Sequence, residues 1–130
     1  MRILAIDYGT KRIGLAWSDT TLGVVLPYGV IETNSPQQKL AELVVLLQTE
    51  KIDMIVVGFP MGLNGKENKN TERIKKFVFE LQQATALPIE YYDERFSSAA
   101  ADALGRGVSR DEKSAMVILE GYLQRKKKKK

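Results

Sequence analysis

Arg2-Ile3-Leu4-Ala5-Ile6-Asp7-Tyr8-Gly9-Thr10-Lys11-Arg12-Ile13-Gly14-Leu15-Ala16-Trp17-Ser18 holds two apolar runs separated by a short polar corner. The first run, Arg2 to Asp7, reads as a buried strand that ends on a carboxylate. Tyr8-Gly9-Thr10-Lys11 is turn chemistry, and Arg12 to Ser18 reads as a second strand, so the two runs form a hairpin. Val24 to Thr33 returns as a third strand, and Pro27 within it favours a sheet edge or a bulge, because proline donates no ladder hydrogen bond.

From there the periodicity changes. Ser35-Pro36 is a cap and first-turn pair, and Leu40, Leu43, Val44 and Leu47 recur at helical spacing behind it. Ile52 to Val57 is a short continuous apolar run of the kind expected for an interior parallel strand covered on both faces. A loop rich in Gly, Asn and Lys spans Gly58 to Lys69. A second helix is predicted from about Thr71, with Ile74, Phe77, Val78 and Leu81 on one face, and Pro88 opens a last strand through Tyr92. Strand, helix, strand, helix, strand implies right-handed parallel crossovers and an α/β sheet. A short helix from Ser97, a break at Gly105-Arg106-Gly107 and a final helix from Arg110 complete the chain. With 130 residues, no internal repeat and no long linker, the sequence predicts one domain over residues 1–125 and a basic, disordered tail over 126–130.

Composition narrows the chemistry. The chain has no cysteine and no histidine, which removes thiol nucleophiles, thiolate or imidazole zinc sites and histidine bases. Hydrolytic chemistry must then run on carboxylates, hydroxyls, lysines or bound metal. The net charge is +4, but Lys126 to Lys130 supply five positive charges; the body alone holds 15 basic and 16 acidic groups and is near neutral. The lysine run is either a solvated end or a nonspecific phosphate-binding arm. No apolar run approaches the roughly 18 residues a membrane span needs, and Asp7 cuts the N-terminal apolar stretch short. The reading is a cytoplasmic chain with no membrane partner.

Asp7 ends the first strand and Asp93-Glu94 the last. Ligand sites in sheets with parallel crossovers lie beyond the carboxyl ends of the strands, so Asp7 and Glu94 are candidates for one site. Asp7 as a simple turn residue is the plainer alternative. Asp111 lies inside an S-x-x-E capping box formed by Ser109 and Glu112, where an acid needs no function. Against that, Asp111, Ala115, Ile118 and Tyr122 share one helical stripe with Leu119, so the carboxylate lies on the face that packs on the sheet. A carboxylate there must be paired or bound to a cation. Three acids from a first strand, a last strand and a C-terminal helix fit an oxygen-ligand site for magnesium or manganese, which activates water for phosphodiester hydrolysis. Lys11, Arg12, Lys66, Arg95, Arg106 and Arg110 lie in segments next to these strand ends and are candidate nucleic-acid contacts, with a solvated charge the alternative for each. Trp17, Phe77 and Tyr122 read as core.

Ile6-Asp7-Tyr8-Gly9-Thr10-Lys11-Arg12-Ile13-Gly14-Leu15-Ala16 resembles the opening of the YqgF family, the RuvC-like Holliday-junction resolvases also described as pre-16S ribosomal RNA nucleases. The resemblance continues, in the family's order, through Ile55-Val56-Val57-Gly58-Phe59-Pro60 with Asn64-Gly65. Tyr92-Asp93-Glu94-Arg95-Phe96-Ser97-Ser98 follows, then Asp111 with Ala115-Met116-Val117-Ile118-Leu119-Glu120. It implies a ribonuclease-H-like fold with a five-stranded mixed sheet flanked by helices, and an acidic triad on Asp7, Glu94 and Asp111. Where the family usually has Asp-Ser followed by small residues, this chain has Asp111-Glu112-Lys113-Ser114, and Glu112, about 100° round the helix, is the alternative ligand.

By analogy with two-metal nucleases, Asp7 would bridge two magnesium or manganese ions while Glu94 and Asp111 complete their shells, with no side-chain base required. The implied function is metal-dependent endonucleolytic cleavage of structured nucleic acid, with 5′ processing of pre-16S rRNA foremost. Resolution of Holliday junctions is the alternative, and symmetric cleavage there would call for two active sites and hence a weak homodimer. A non-catalytic RNA-binding factor of ribosome assembly using the lysine arm is another. Asp7-Tyr8-Gly9-Thr10 with its hairpin also resembles the first phosphate loop of actin-like ATPases and sugar kinases, which need two such domains around the nucleotide.

Overall fold

The computed structural model describes residues 1–9, 11–59, 69–93 and 109–128. Five strands and three helices follow in the order β1 (Arg2–Tyr8), β2 (Arg12–Asp19), β3 (Val24–Glu32), α1 (Pro36–Thr49), β4 (Met54–Phe59), α2 (Lys69–Ala84), β5 (Ile89–Asp93) and α3 (Arg110–Lys128). They form one mixed sheet ordered β3-β2-β1-β4-β5. The β1–β2 and β2–β3 pairs are antiparallel, and β1–β4 and β4–β5 are parallel.

Local chemistry explains most of these boundaries. The hairpin register runs from Arg2 opposite Asp19 to Tyr8 opposite Ile13, and the Gly9 amide closes the turn on the Arg12 carbonyl at 2.8 Å. β3 is an edge strand, and its register against β2 shifts between Leu15 and Ala16, opposite Gly29 and Pro27. The ladder skips Tyr28 where proline withholds its donor, as Pro27 foretold. Ser35 caps α1 by accepting the Gln38 amide at 3.2 Å, and Pro36 takes the first turn.

β4 begins two residues later than its apolar run. Lys51 turns the chain with a φ of 52°, and Ile52 bonds back to the Leu47 carbonyl at 3.1 Å, so Ile52 closes the end of α1 instead of opening the strand. α3 extends to Lys128 and so takes in the first three lysines of the run assigned to a disordered tail. Lysine is a good helix former, and cations are favourable at a helix C-terminus.

Alternation along each strand divides the core in two. Leu4 and Ile6 of β1, Ile13 and Leu15 of β2, and Ile55 and Val57 of β4 face α1 and α2, where Leu43, Phe77 and Leu81 pack on them. Ile3 and Ala5 of β1 and Met54 and Val56 of β4 point the other way, onto Ile118, Leu119 and Tyr122 of α3. Ala115 meets Ala16 of β2. The stripe read from the sequence of α3 is thus the face that covers the sheet. All of β4 is buried, as a strand flanked by β1 and β5 and covered by helices on both faces must be.

Candidate metal centre and nucleic-acid interface

The hairpin register fixes Asp7. It follows Ile3 and Ala5 at the period of two, so its side chain lies on the α3 face at the carboxyl end of β1. Opposite it on β2 stands Gly14. A Cβ added to Gly14 would overlap the Asp111 carbonyl and lie 2.9 Å from the Asp111 Cβ. The first turn of α3 therefore rests directly on the bare backbone of Gly14, and only glycine permits that approach. Directly opposed residues of an antiparallel pair hold their same-face Cβ atoms about 5 Å apart, which places the Cβ atoms of Asp7 and Asp111 within about 8 Å of each other. Both residues are half-buried.

Further along, α3 is seated the same way, since a Cβ on Gly121 would overlap the Tyr92 hydroxyl on β5. Tyr122 makes a hydrogen bond to Glu90 beside it. Close contact at Asp111 and again at Gly121 leaves the helix little room to slide, which fixes Asp111 relative to β1 and β2.

The S-x-x-E capping box is formed. The Glu112 amide donates to the Ser109 hydroxyl at 3.1 Å, and Glu112 Oε1 accepts from the Ser109 hydroxyl at 2.9 Å and from its amide at 3.3 Å. Glu112 is thus turned back onto the cap, while Asp111, one position earlier, lies against Gly14. The third acid, Glu94, follows directly on the last residue of β5 and lies outside the described residues, as do Lys66, Arg95 and Arg106. Among the described residues no group of three acidic, histidine or cysteine side chains gathers. The donors present suit a hard divalent cation: Asp7 and Asp111 offer carboxylate oxygens, and the chain has no imidazole or thiolate to select zinc.

Of the basic candidates, Lys11 and Arg110 are exposed. Arg12 pairs with Glu32 across β2 and β3 at 3.1 Å. Both groups of that pair are well exposed, so the contact is worth at most about 1 kcal/mol and leaves the guanidinium open to exchange partners. Lys39 of α1 carried no functional reading in the sequence. It is 1% exposed, and its Nζ donates to the Gly9 carbonyl at 2.9 Å. The ammonium also lies 4.8 Å from the centre of the Tyr8 ring, whose other neighbour is the Phe77 ring at 4.5 Å. Burial pushes the Lys39 pKa down. The signal was present in the spacing: Lys39, Leu43 and Leu47 form one buried row at intervals of four, headed by a cation.

Residues 1–125 match the family model RuvX, described as Holliday junction resolvase. The chain belongs to this family. A relative from Maridesulfovibrio salexigens, 37% identical, is spanned over 96% of this chain and 99% of its own length. One from Agathobacter rectalis is 36% identical over 95% and 94%. Both carry the name "Putative pre-16S rRNA nuclease". Among solved structures, RuvC of T. thermophilus in complex with a Holliday junction substrate aligns over 96% of both chains with a TM-score of 0.64 and 16% identity. The fowlpox virus Holliday junction resolvase aligns over 96% of this chain and 99% of its own with a TM-score of 0.61 and 13% identity. These likenesses establish the ribonuclease-H-like fold of the RuvX chain. A ROK hexokinase from Thermus thermophilus aligns with a TM-score of 0.50 over 78% of this chain but 38% of its own. The match thus covers less than half of that enzyme. Among the described residues no helix is long and apolar enough to cross a membrane.

Proposed function

We propose that this RuvX chain is a divalent-metal-dependent endonuclease of the cytoplasm that hydrolyses phosphodiester bonds in structured RNA, processing the 5′ end of pre-16S rRNA during ribosome biogenesis. The observation that carries the reading is the seating of Asp111 on Gly14, directly across the hairpin from Asp7. That contact brings acids from the two ends of the chain to one carboxyl edge of the sheet. The names of the full-length relatives favour ribosomal RNA as substrate.

In this reading Asp7, Glu94 and Asp111 hold magnesium or manganese, with Asp7 nearest the centre of the site and residues 1–125 forming the catalytic domain. Bound there, the metal supplies Lewis acidity at the phosphoryl oxygen and a water of lowered pKa. Asp7 and Asp111 present oxygen donors from rigid elements, a strand end and a helix start that lie either side of Gly14. The packed α3 limits water on one side of the site, and Lys11, Arg12 and Arg110 hold the flanking phosphates by charge. Glu112 keeps to its cap.

Cleavage of branched DNA is the second reading, favoured by the description of the family model. The assay that separates them offers a 5′ precursor 16S rRNA fragment, a four-way DNA junction and single strands, each with and without manganese. Manganese-dependent cleavage of the rRNA fragment at a defined site is expected. Symmetric cutting of the junction alone, together with a homodimer in solution, would transfer the protein to the resolvase class.

A further inference from the structure

On the face of the sheet opposite Asp7 and Asp111, but at the same carboxyl edge, lies an open cleft of about 290 Å³ between the start of α1 and the first turns of α2. Tyr8 and Phe77 line it with Lys39, and Arg73 and Lys76 stand on its α2 wall with Glu80. Asn34 and Gln37 flank the N-terminus of α1 at its mouth. The first turn of α1 contains no acidic residue, so the partial positive charge of that helix end is uncompensated within its own turn. Three cations against one carboxylate make this cleft positive in a chain whose body is near neutral.

Two connections tie the cleft to the candidate metal centre. Tyr8 follows Asp7 in β1, so neighbouring residues of one strand line the two sites on opposite faces of the sheet. Lys39, buried at the base of the cleft, holds the carbonyl of Gly9 in the turn immediately after them.

We propose that this cleft is a phosphate subsite, in which Arg73 and Lys76, backed by Lys39 and the N-terminus of α1, bind a backbone phosphate of the RNA strand that crosses the carboxyl edge of the sheet. The proposal rests on the nuclease reading and extends it: a strand held at Asp7 on one face is gripped on the other, which sets the register of the cut. Arginine and lysine at a cleft rim contact phosphate without reading base identity, so the subsite governs affinity and position, not sequence preference.

The test uses Arg73→Gln with Lys76→Gln in the full chain. Both positions are exposed on α2 and glutamine keeps the helix, so the melting temperature should stay within about 2 °C of the wild type. Binding of the 5′ precursor rRNA fragment is measured against salt on an Asp7→Asn background, where cleavage does not interfere. The slope of log affinity against log salt should flatten by roughly 0.7, one single-strand phosphate contact, and with Asp7 intact KM should rise while kcat holds. Lys51→Gln, at the opposite edge of the sheet, should not flatten it. An unchanged slope in a double variant whose parent still cuts RNA overturns the subsite and leaves the nuclease reading standing. A flattened slope in a protein that cuts no substrate with any metal supports the subsite and removes the nuclease reading. If inorganic phosphate stabilises the wild type but not the double variant while RNA binding is unchanged, the cleft holds free phosphate and the assignment to a strand fails.

Discussion

Gly14 and Asp111 are in backbone contact: a helix that begins about a hundred residues after the first hairpin stands on a position of β2 with no side chain. The contact makes the position of Asp111 a consequence of how β2 is built. Gly14 is paired with Asp7, so the same residue that admits the helix also sets its distance from the first acid.

Gly14→Ala should therefore damage function more than folding. A Cβ would overlap the Asp111 main chain, which cannot rotate away as a flexible side chain would, and overpacking of this kind costs about 1 to 3 kcal/mol. The expected result is a modest fall in melting temperature with a loss of manganese-dependent cleavage much larger than the unfolded fraction explains. Asp111 moves, and a misplacement of about 1 Å costs on the order of a hundredfold in rate. Thermal melts alongside cleavage at a temperature where the variant is folded check this.

Asp7→Asn separates a ligand from a turn brace. If Asp7 shares a metal site with Asp111 and Glu94 as proposed, it adds like-charge repulsion in metal-free protein, so neutralising it should hold or raise the apo melting temperature. The rise in melting temperature on adding manganese should disappear and cleavage should fall by orders of magnitude. If Asp7 only braces the turn, the change costs roughly 0.5 to 2 kcal/mol and the manganese shift survives.

Glu112 and Asp111 are distinguished by the cap. Glu112→Gln retains the donor-acceptor geometry of a capping box and should keep both stability and manganese-dependent activity. Asp111→Asn should lose the activity at little cost in stability. Ser109→Ala removes the hydroxyl that the Glu112 amide and carboxylate share, and should cost about 1 kcal/mol. Chemical denaturation of the three variants, with cleavage rates in manganese, decides which acid serves the site.

Much of this was legible because it is local. Ser35-Pro36 announces a helix start, Pro27 announces an edge or a bulge, and Asp7 at the end of an apolar run announces a carboxylate at a strand terminus. The α3 stripe was legible because helical phase alone places Asp111 and Ile118 on one side. The contact of Gly14 with Asp111 was not, since a glycine in a strand does not say which distant backbone will fill its space. Lys39 escaped for the opposite reason: a lysine at the head of an apolar row looks like an exposed end until the Gly9 carbonyl is seen above it. Ile52 misled because its burial belongs to the end of α1, and apolar character does not say which element claims it.

Lys39 makes stability depend on alkaline pH with a definite sign. Burial lowers its pKa below the usual lysine value of 10.5, so the folded protein releases this proton at lower pH than the unfolded chain. Between the two values the unfolded state binds more protons, and stability rises with pH. Lys39→Met removes the titration. The stability difference, wild type minus Lys39→Met, should thus grow as pH is raised towards 10.5, and denaturant unfolding from pH 8 upward measures it. A difference that is flat with pH would show that the ammonium is as well solvated in the fold as in the unfolded chain.

The lysine run at the end of α3 offers a separate test of how this near-neutral body meets an anionic strand. Lys126 to Lys130 carry more positive charge than the whole chain has in excess. Deleting them leaves Tyr122, the last residue of α3 that is buried among the described residues, three residues inside the new end. The core and the seating of Asp111 lie well upstream, so the melting temperature and its manganese shift should hardly change. RNA affinity should fall, and the salt slope should flatten by about 0.7 for each phosphate the lysines contact. The backbone is helical through Lys128, so the run is tethered to α3 and the loss of slope should be smaller than five free lysines would produce. Binding isotherms at several salt concentrations, wild type against truncation, read the number directly. An identical slope in the two proteins would assign the run to solvent and leave phosphate binding to the residues around the carboxyl edge of the sheet.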